Sequence, residues 1–234
     1  MQTKIIGPVL QRAWIAAARA RRRLAPGDRP REDLVRRLAS GRSFVDVGCM
    51  WSVNGAIAFA AEEAGAGPVT GMDVMGATPA FEAERTRRGS QVRFVQGDLH
   101  DAEAREQVGT HDVVWCSGLI YHAPHPLQSL EALRELTGDL LLIASETMPE
   151  VPGIPQACVF YPGLSERARR AHASARPGEH TGLTTPFEPE RGYANWYWGI
   201  SHSALRAMVE CTGFDVIEEH GNPFHATLVA RVTA

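Results

Sequence analysis

The sequence contains no long apolar run, no closely spaced pair of cysteines and no internal repeat. A membrane-spanning helix needs about 18 consecutive apolar residues, and no run approaches that length. The four cysteines at positions 49, 116, 158 and 211 lack the CxxC spacing of structural zinc sites, and their number and spacing are not those of a disulfide scaffold. A secretory signal is not expected, because the first apolar stretch precedes its basic cluster. These absences predict a soluble protein of the cytoplasm.

Charge is unevenly distributed along the 234 residues. The net charge is −3, yet residues 1–37 hold ten basic against three acidic residues. Helical periodicity places Arg12, Arg19 and Arg23 on one face of a first helix. That face is either a basic arm for nucleic acid or anionic lipid, or the solvated side of a helix that packs Trp14 on the domain. The second interpretation is favoured, because the rest of the chain is acidic.

Short apolar runs alternate with helical patterns from residue 43 to residue 145. Such alternation predicts a parallel sheet covered by helices on both faces. The predicted strands are Ser43–Val47, Val69–Val74, Val92–Gln96, Asp112–Cys116 and Leu140–Ser145, followed by Phe214–His220 and Ala226–Val232. Only a turn separates the last two strands, so they form an antiparallel hairpin. The predicted fold is α/β, a doubly wound seven-stranded sheet of five parallel strands plus a terminal antiparallel hairpin.

Two further segments accompany this sheet. Residues 1–39 are predicted as an N-terminal helical segment, a lid or a packing arm, and residues 40–234 as the main domain. Within it, about residues 147–202 form an insertion with seven prolines and no clean periodicity. A connection of that length in a compact domain is usually a lid or a binding element.

Acidic residues end or follow three consecutive predicted strands. Ligands of open parallel sheets bind at the carboxyl ends of the strands. Asp73 at the end of the second strand can accept from both hydroxyls of a ribose. Asp98 after the third strand can accept from an exocyclic adenine amine. Gly48 after the first strand lets the backbone approach a ligand closely. Together these positions point to a nucleoside.

The motifs FVDVGC, VTGMD, FVQGDLHD and HDVVWCSGLIYH, in this order, resemble those of class I S-adenosylmethionine-dependent methyltransferases. The resemblance spans about residues 40–146 and implies a Rossmann-like sheet with S-adenosylmethionine as the cofactor. It implies that Asp46, Gly48 and Ser117 lie on the methionine side, that Asp73 holds the ribose and that Asp98 with Leu99 holds the adenine. The cofactor-binding residues expected on this basis are Asp46, Gly48, Cys49, Asp73, Val74, Asp98, Leu99, Ser117 and Tyr121.

The first turn departs from the family pattern. Met50 and Ser52 stand where the family usually has glycines, and the turn is longer, reaching Gly55. Side chains must therefore point away from the cofactor, or the turn must follow another path. The departure also disfavours a nicotinamide dehydrogenase, whose pyrophosphate needs the close backbone approach of G-x-G-x-x-G. A sulfonium donor has no phosphate.

His122 is the candidate general base, since it follows the fourth strand, where the methyl group should emerge. The alternative is a histidine that caps the next helix. A metal held by His122 and His125 is not expected, because the intervening Ala-Pro and the proline after His125 disfavour a helical two-histidine site. The candidate acceptor-binding residues are Glu146, Tyr161, Trp196 and Trp198. The three aromatic residues among them either line an acceptor pocket or belong to the core.

The predicted function is methyl transfer from S-adenosylmethionine to an oxygen, nitrogen or carbon atom of a small molecule. Two alternatives remain open. Residues 119–127 resemble a segment of small-molecule methyltransferases and of the tRNA wobble-uridine carboxymethyltransferases, and residues 195–204 resemble a segment of the latter. A tRNA-modifying enzyme is therefore the second hypothesis, although nucleic acid is not the favoured partner. The third is a nucleoside-binding module without turnover. No membrane partner is expected, and the oligomeric state is open.

Overall fold

The computed structural model describes residues 31–175 and 181–233, together with positions 13, 16, 17 and 20. The basic face predicted around Arg12, Arg19 and Arg23 lies outside these residues. Seven strands form the main sheet: β1 (Phe44–Val47), β2 (Val69–Asp73), β3 (Arg93–Gln96), β4 (His111–Ser117), β5 (Thr137–Glu146), β8 (Phe214–Asn222) and β9 (His225–Val232). A separate ribbon pairs β6 (Cys158–Phe160) with β7 (Trp198–Ile200).

The described helices connect the strands or lie in the insertion. They are α1 (Arg31–Ala39), α2 (Ala56–Glu63), α3 (Pro79–Arg88), α4 (Ala102–Val108), α5 (Pro126–Leu136), α6 (Glu166–Ala175), α7 (Thr181–Thr184) and α8 (His202–Cys211), with 3₁₀ turns at Ile120–His122, Tyr161–Gly163 and Pro189–Ala194.

The strand order of the main sheet is β3-β2-β1-β4-β5-β9-β8. The first five strands in this order run parallel, and β9 pairs antiparallel with both β5 and β8. The prediction of a doubly wound sheet with a terminal hairpin is therefore confirmed. The order reverses between β1 and β4, and the carboxyl ends of these neighbouring strands form the crevice in which such sheets bind ligands.

Apolar side chains cover both faces of the sheet. One face packs on α1, α2 and α3 through residues such as Leu34, Phe59 and Phe81. The other packs on α4, α5 and α8 through residues such as Leu133 and Leu205. Every residue of β1 and β2 is buried, as expected for parallel strands with helices on both sides. The rigid sheet fixes the positions of the turns that follow each strand.

Helix α3 shows how the sequence sets these connections. Thr78 precedes it in an extended conformation and accepts a hydrogen bond from the Phe81 amide, while Pro79 occupies the first helical position. Gly89 ends the helix with φ of 61°, a left-handed conformation that glycine adopts without strain.

The insertion contains more regular structure than its sequence pattern indicates. Besides the β6–β7 ribbon it holds α6, which is built mainly of alanine and arginine and so carries no large apolar stripe. Tyr161, Leu183 and Trp196 form a small core of their own within the insertion. This core attaches the insertion to the turn after β4 through Tyr121.

Candidate active site

A cavity of about 280 Å³ opens at the carboxyl edge of the sheet, around the point where the strand order reverses. The residues of the predicted cofactor site that line it are Asp46, Gly48, Asp73, Val74, Asp98, Leu99, Ser117 and Tyr121, and the candidate base His122 lines it as well. The sheet thus brings together residues that are spread over more than seventy positions of the chain.

The carboxylate of Asp73 is held in place by backbone amides from two turns. Met50 donates to Oδ2 at 2.7 Å, and Met75 donates to Oδ1 at 2.8 Å. Asp73 is 6% exposed. Since a carboxylate oxygen has two lone pairs, each oxygen keeps acceptor capacity for a ligand hydroxyl.

Asp46, on β1, is the most deeply buried acid of the cavity, at 2% exposure. Burial, with a smaller contribution from the charge of Asp73, raises the pKa of Asp46 to about 7, while a backbone hydrogen bond from Ala58 opposes the rise. Its Oδ2 atom has no hydrogen-bond partner among the described residues. A buried acceptor of this kind is costly unless a ligand supplies a donor or a positive charge.

In the turn after β1, residues other than glycine also adopt positive φ angles. Gly48 has φ of 82°, and a Cβ atom there would lie 3.8 Å from the Ser117 carbonyl oxygen. Ser52 and Asn54 also take positive φ, at 62° and 46°. Trp51 points outward with 65% of its surface exposed and forms part of the cavity rim. The longer turn therefore directs its largest side chain to the mouth of the cavity.

His122 lies in the 3₁₀ turn after β4, with its Nδ1 atom 2.7 Å from the backbone oxygen of Asn195. A carbonyl oxygen only accepts, so Nδ1 carries the proton and Nε2 of the neutral ring carries a lone pair. Burial lowers the pKa of His122 below its ordinary value, and the bond to Asn195 partly opposes this. The ring is therefore neutral near pH ~7, which is the form that a general base requires.

Among the cavity residues that were not anticipated from the sequence, three carry large polar or aromatic side chains at the ligand space. Tyr193, in the insertion, donates its hydroxyl to the carboxylate of Asp98, with both oxygens at 3.1 Å. Arg31 lies at the cavity mouth, with Nη2 3.0 Å from Nε2 of His225. Trp51 is the third. The aromatic content of the insertion is a signal for Tyr193, whereas no local pattern marks Arg31.

Five predicted site residues lie away from the cavity lining. Cys49 is fully buried, and its Sγ atom lies against Gly71 of the neighbouring strand. Tyr161 and Trp196 are buried in the insertion core, where they pack with Leu183. Trp198 packs against Phe160 with the two rings tilted by 52°, at 5.1 Å between ring centroids. Glu146 ends β5 opposite His225. Direct ligand contacts by these five residues stay predictions.

The described residues include neither a metal cluster nor a membrane-spanning helix. No group of three or more histidine, cysteine, aspartate or glutamate side chains within 31–175 and 181–233 is arranged to hold a metal ion. In the same part of the chain, every helix is too short or too polar to cross a bilayer.

Comparison with known proteins places residues 45–138 in a family described as a methyltransferase domain. The chain is also 34% identical over 99 residues to the ubiquinone biosynthesis O-methyltransferase of Vibrio parahaemolyticus. That match spans 41% of this chain and 39% of the relative, so the chain covers about two fifths of the relative's length.

Solved structures share the fold over nearly the whole chain. The 1,6-didemethyltoxoflavin-N1-methyltransferase of Burkholderia thailandensis, solved with bound 1,6-didemethyltoxoflavin and S-adenosylhomocysteine, has a TM-score of 0.60 at 15% identity, covering 98% of this chain and 89% of its own. The magnesium protoporphyrin IX methyltransferase of Synechocystis PCC 6803, with bound S-adenosylhomocysteine, has a TM-score of 0.53 at 15% identity, covering 97% and 100%. The matched domain and the strand order agree: residues 45–138 are similar to a methyltransferase domain, and the sheet has the same fold as these two methyltransferases.

Proposed function

We propose that the protein transfers a methyl group from S-adenosylmethionine to an oxygen, nitrogen or carbon atom of a small-molecule acceptor. One observation carries the proposal: Asp46, Asp73, Asp98 and Gly48, at or after three neighbouring strands, line a single cavity at the switch point of the sheet. Nucleoside ligands of open α/β sheets bind in this crevice.

The residues around the cavity match the chemistry of this cofactor. Asp98 and the Leu99 backbone would receive the adenine, and Asp73 the ribose hydroxyls. Asp46 and Ser117 would face the methionine end, where the unpartnered Oδ2 of Asp46 suits a positively charged group. Gly48 leaves room for close approach. The bound cofactor supplies an already activated methyl group on a sulfonium.

The role proposed for this chain is mainly to position the reactants and to exclude water. Nε2 of His122 would take a proton from an acceptor hydroxyl or amine as that atom is methylated. Nδ1 keeps its own proton through the bond to the Asn195 carbonyl. A carbon acceptor without an acidic proton would not need this step.

A small-molecule acceptor is supported by the names of the similar proteins, which include a ubiquinone biosynthesis O-methyltransferase, a 1,6-didemethyltoxoflavin-N1-methyltransferase and a magnesium protoporphyrin IX methyltransferase. The same names do not favour the tRNA-modifying alternative. A cytoplasmic location is part of the proposal, supported by four free cysteines. So is a division into an N-terminal segment of residues 1–39 and a main domain of 40–234, with α1 as a packing arm that buries Leu34 and Val35.

Thermal unfolding with and without ligand tests the cofactor assignment. S-adenosylhomocysteine at 100 times its dissociation constant should add about 2.7 kcal/mol to the free energy of unfolding and so raise the melting temperature. Methionine alone and NAD are the controls. An unchanged melting temperature with S-adenosylhomocysteine and S-adenosylmethionine would overturn the proposal. Product formation is then measured with panels of small phenols and amines and with tRNA, and methylation of tRNA alone would overturn the acceptor class.

A further inference from the structure

One turn of the insertion contacts two side chains of the cavity, the carboxylate of Asp98 and the imidazole of His122. This turn, Glu188–Asn195, carries Tyr193, whose hydroxyl donates to the Asp98 carboxylate, and Asn195, whose backbone oxygen accepts from Nδ1 of His122. The two contacts are made two residues apart, yet Asp98 and His122 follow different strands of the sheet. A small displacement of this turn would therefore alter both groups.

The side chain of Asn195 holds the Glu188–Asn195 turn together. Its Nδ2 donates to the backbone oxygens of Glu188 at 2.8 Å and Gly192 at 3.1 Å, and its Oδ1 accepts from the Glu188 amide at 3.3 Å. Gly192 bends the chain here with φ of 49° and ψ of −126°. Asn195 is 3% exposed, so its amide is committed to the turn and does not face the cavity as a ligand group.

The segment that follows is attached to the turn after β4. The Tyr197 amide donates to the Tyr121 oxygen at 2.9 Å, and Nε1 of Trp198 donates to the Pro124 oxygen at 3.3 Å. The ring of Trp196 lies 4.5 Å from that of Tyr121 and meets the His122 ring edge-on at 5.7 Å. These contacts on both sides of His122 fix where the Asn195 carbonyl lies relative to the imidazole.

We propose that the Glu188–Asn195 turn is a positioning element of the active site, in which Asn195 sets the tautomer and orientation of His122 and Tyr193 orients the carboxylate of Asp98. The inference rests on the proposed function for its kinetic consequences. A neutral histidine in water exchanges its proton between the two ring nitrogens, whereas a carbonyl fixed at Nδ1 selects the Nδ1–H form. That selection leaves the Nε2 lone pair free to accept a proton at the start of each catalytic cycle.

The state of His122 can be observed directly in the free protein. In ¹⁵N-histidine-labelled protein, the ring nitrogens of His122, assigned by their loss in His122→Asn, should show the Nδ1–H tautomer. Asn195→Ala should convert them to a mixture of the two tautomers. If Asn195→Ala does not fold, Asn195→Asp is used, because it is isosteric but places an acceptor against the Glu188 and Gly192 oxygens. An Nε2–H tautomer in the wild type, or an unchanged spectrum in a folded Asn195 variant, overturns the proposal.

Kinetics test the two contacts separately. Asn195→Ala should lower kcat by about 10- to 100-fold with little change in the KM for S-adenosylmethionine, since a misplacement of about 1 Å can cost that much. Tyr193→Phe should instead weaken S-adenosylhomocysteine binding about tenfold, because a hydrogen bond to a charged group is lost. Tyr197→Phe is the matched control, since the ring of Tyr197 packs on Phe187, whereas it is the Tyr193 hydroxyl that donates to Asp98.

Equal binding by the Tyr193→Phe and Tyr197→Phe variants would overturn the role of Tyr193, and an unchanged kcat in folded Asn195→Ala would overturn that of Asn195. Failure of the proposed function looks different. In that case the wild type neither binds S-adenosylmethionine nor forms a methylated product. The histidine spectra still report whether Asn195 determines the tautomer of His122.

Discussion

Gly55 lies directly against the ring of Phe81: a Cβ atom at position 55 would come within 2.6 Å of two ring carbons. Gly55 also has φ of 75° and immediately precedes α2. Phe81 is fully buried and stacks on Phe59 at 5.3 Å. The long turn after β1 is thus closed by a glycine that both the backbone conformation and the neighbouring α3 require.

Replacing Gly55 with alanine should therefore destabilise the protein for two reasons. A left-handed conformation costs an alanine about 1–2 kcal/mol, and overpacking against a buried ring costs a further ~1–3 kcal/mol. The free energy of unfolding, measured with urea, should fall by the sum of these effects. Gly89→Ala is the matched control, because Gly89 has φ of 61° but open space around its Cβ position. Equal losses in the two variants would show that contact with Phe81 contributes nothing.

Asp73→Ala should impair both the binding of the cofactor and the stability of the free protein. Loss of the ribose acceptor is expected to weaken S-adenosylhomocysteine binding by ~1–3 kcal/mol, measured by calorimetry. The Met50 and Met75 amides also lose their acceptor. We therefore expect the free energy of unfolding to fall as well, by ~1–3 kcal/mol.

A second carboxylate provides the control for Asp73. Asp112 near the start of β4 accepts from the Ser43 amide at 2.9 Å, but it lies at the opposite edge of the sheet from the cavity. Asp112→Ala should lower stability without changing the affinity for S-adenosylhomocysteine. If Asp73→Ala binds as tightly as Asp112→Ala does, Asp73 is not part of the ligand site.

Local patterns in the sequence were sufficient for the sheet and for one side of the cavity. Strands β1 and β2 are buried throughout, and Asp73 and Asp98 lie at or just after strand ends, so periodicity and spacing locate them. Tyr193 lies 95 positions from Asp98, and although the length and aromatic content of the insertion indicate a lid or binding element, no local pattern pairs Tyr193 with Asp98. Tyr161 and Trp196 carry the same aromatic signal whether they face a ligand or a core, and only the packing with Leu183 distinguishes the two.

His122→Asn should lower kcat by about 10²- to 10⁴-fold for a hydroxyl or amine acceptor, the usual contribution of a positioned base. Asparagine retains an amide that can donate to the Asn195 carbonyl, so the affinity for S-adenosylhomocysteine should change little. His125→Ala is the control, because His125 is exposed and its side chain makes no capping bond to α5. Equal turnover in wild type and His122→Asn would mean that the reaction needs no base at this position.

The pH profile supplies a second check on His122. Burial holds the pKa of His122 below 6.5, and the base must be unprotonated. The pH–rate profile should therefore have a limb in which kcat rises with pH below pH ~6.5, and kcat should stay constant above that pH. The limb should disappear in His122→Asn and persist in His125→Ala. A limb centred above that pH would assign the titration to another group.

The buried Asp46 makes the stability of the free protein depend on pH in a direction opposite to that of a salt-bridged acid. Its pKa is raised from 3.8 to about 7, mainly by burial. Between these two values the folded protein retains a proton that the unfolded chain releases, so stability falls as the pH rises from about 4 to about 7 and is level above that range. Asp46→Asn, which resembles the protonated acid, should remove this contribution.

Urea unfolding at about pH 5 and about pH 8 measures the effect. From the lower to the higher pH, the free energy of unfolding of Asp46→Asn should rise relative to that of the wild type by on the order of 2–4 kcal/mol. Asp112→Asn, an exposed carboxylate, is the control and should show no such gain. Binding of a positively charged cofactor favours the ionised Asp46, so S-adenosylmethionine should release a proton near pH ~7, detectable by calorimetry in buffers of different ionisation enthalpy. Proton release that persists in Asp46→Asn would place the titrating group elsewhere in the cavity.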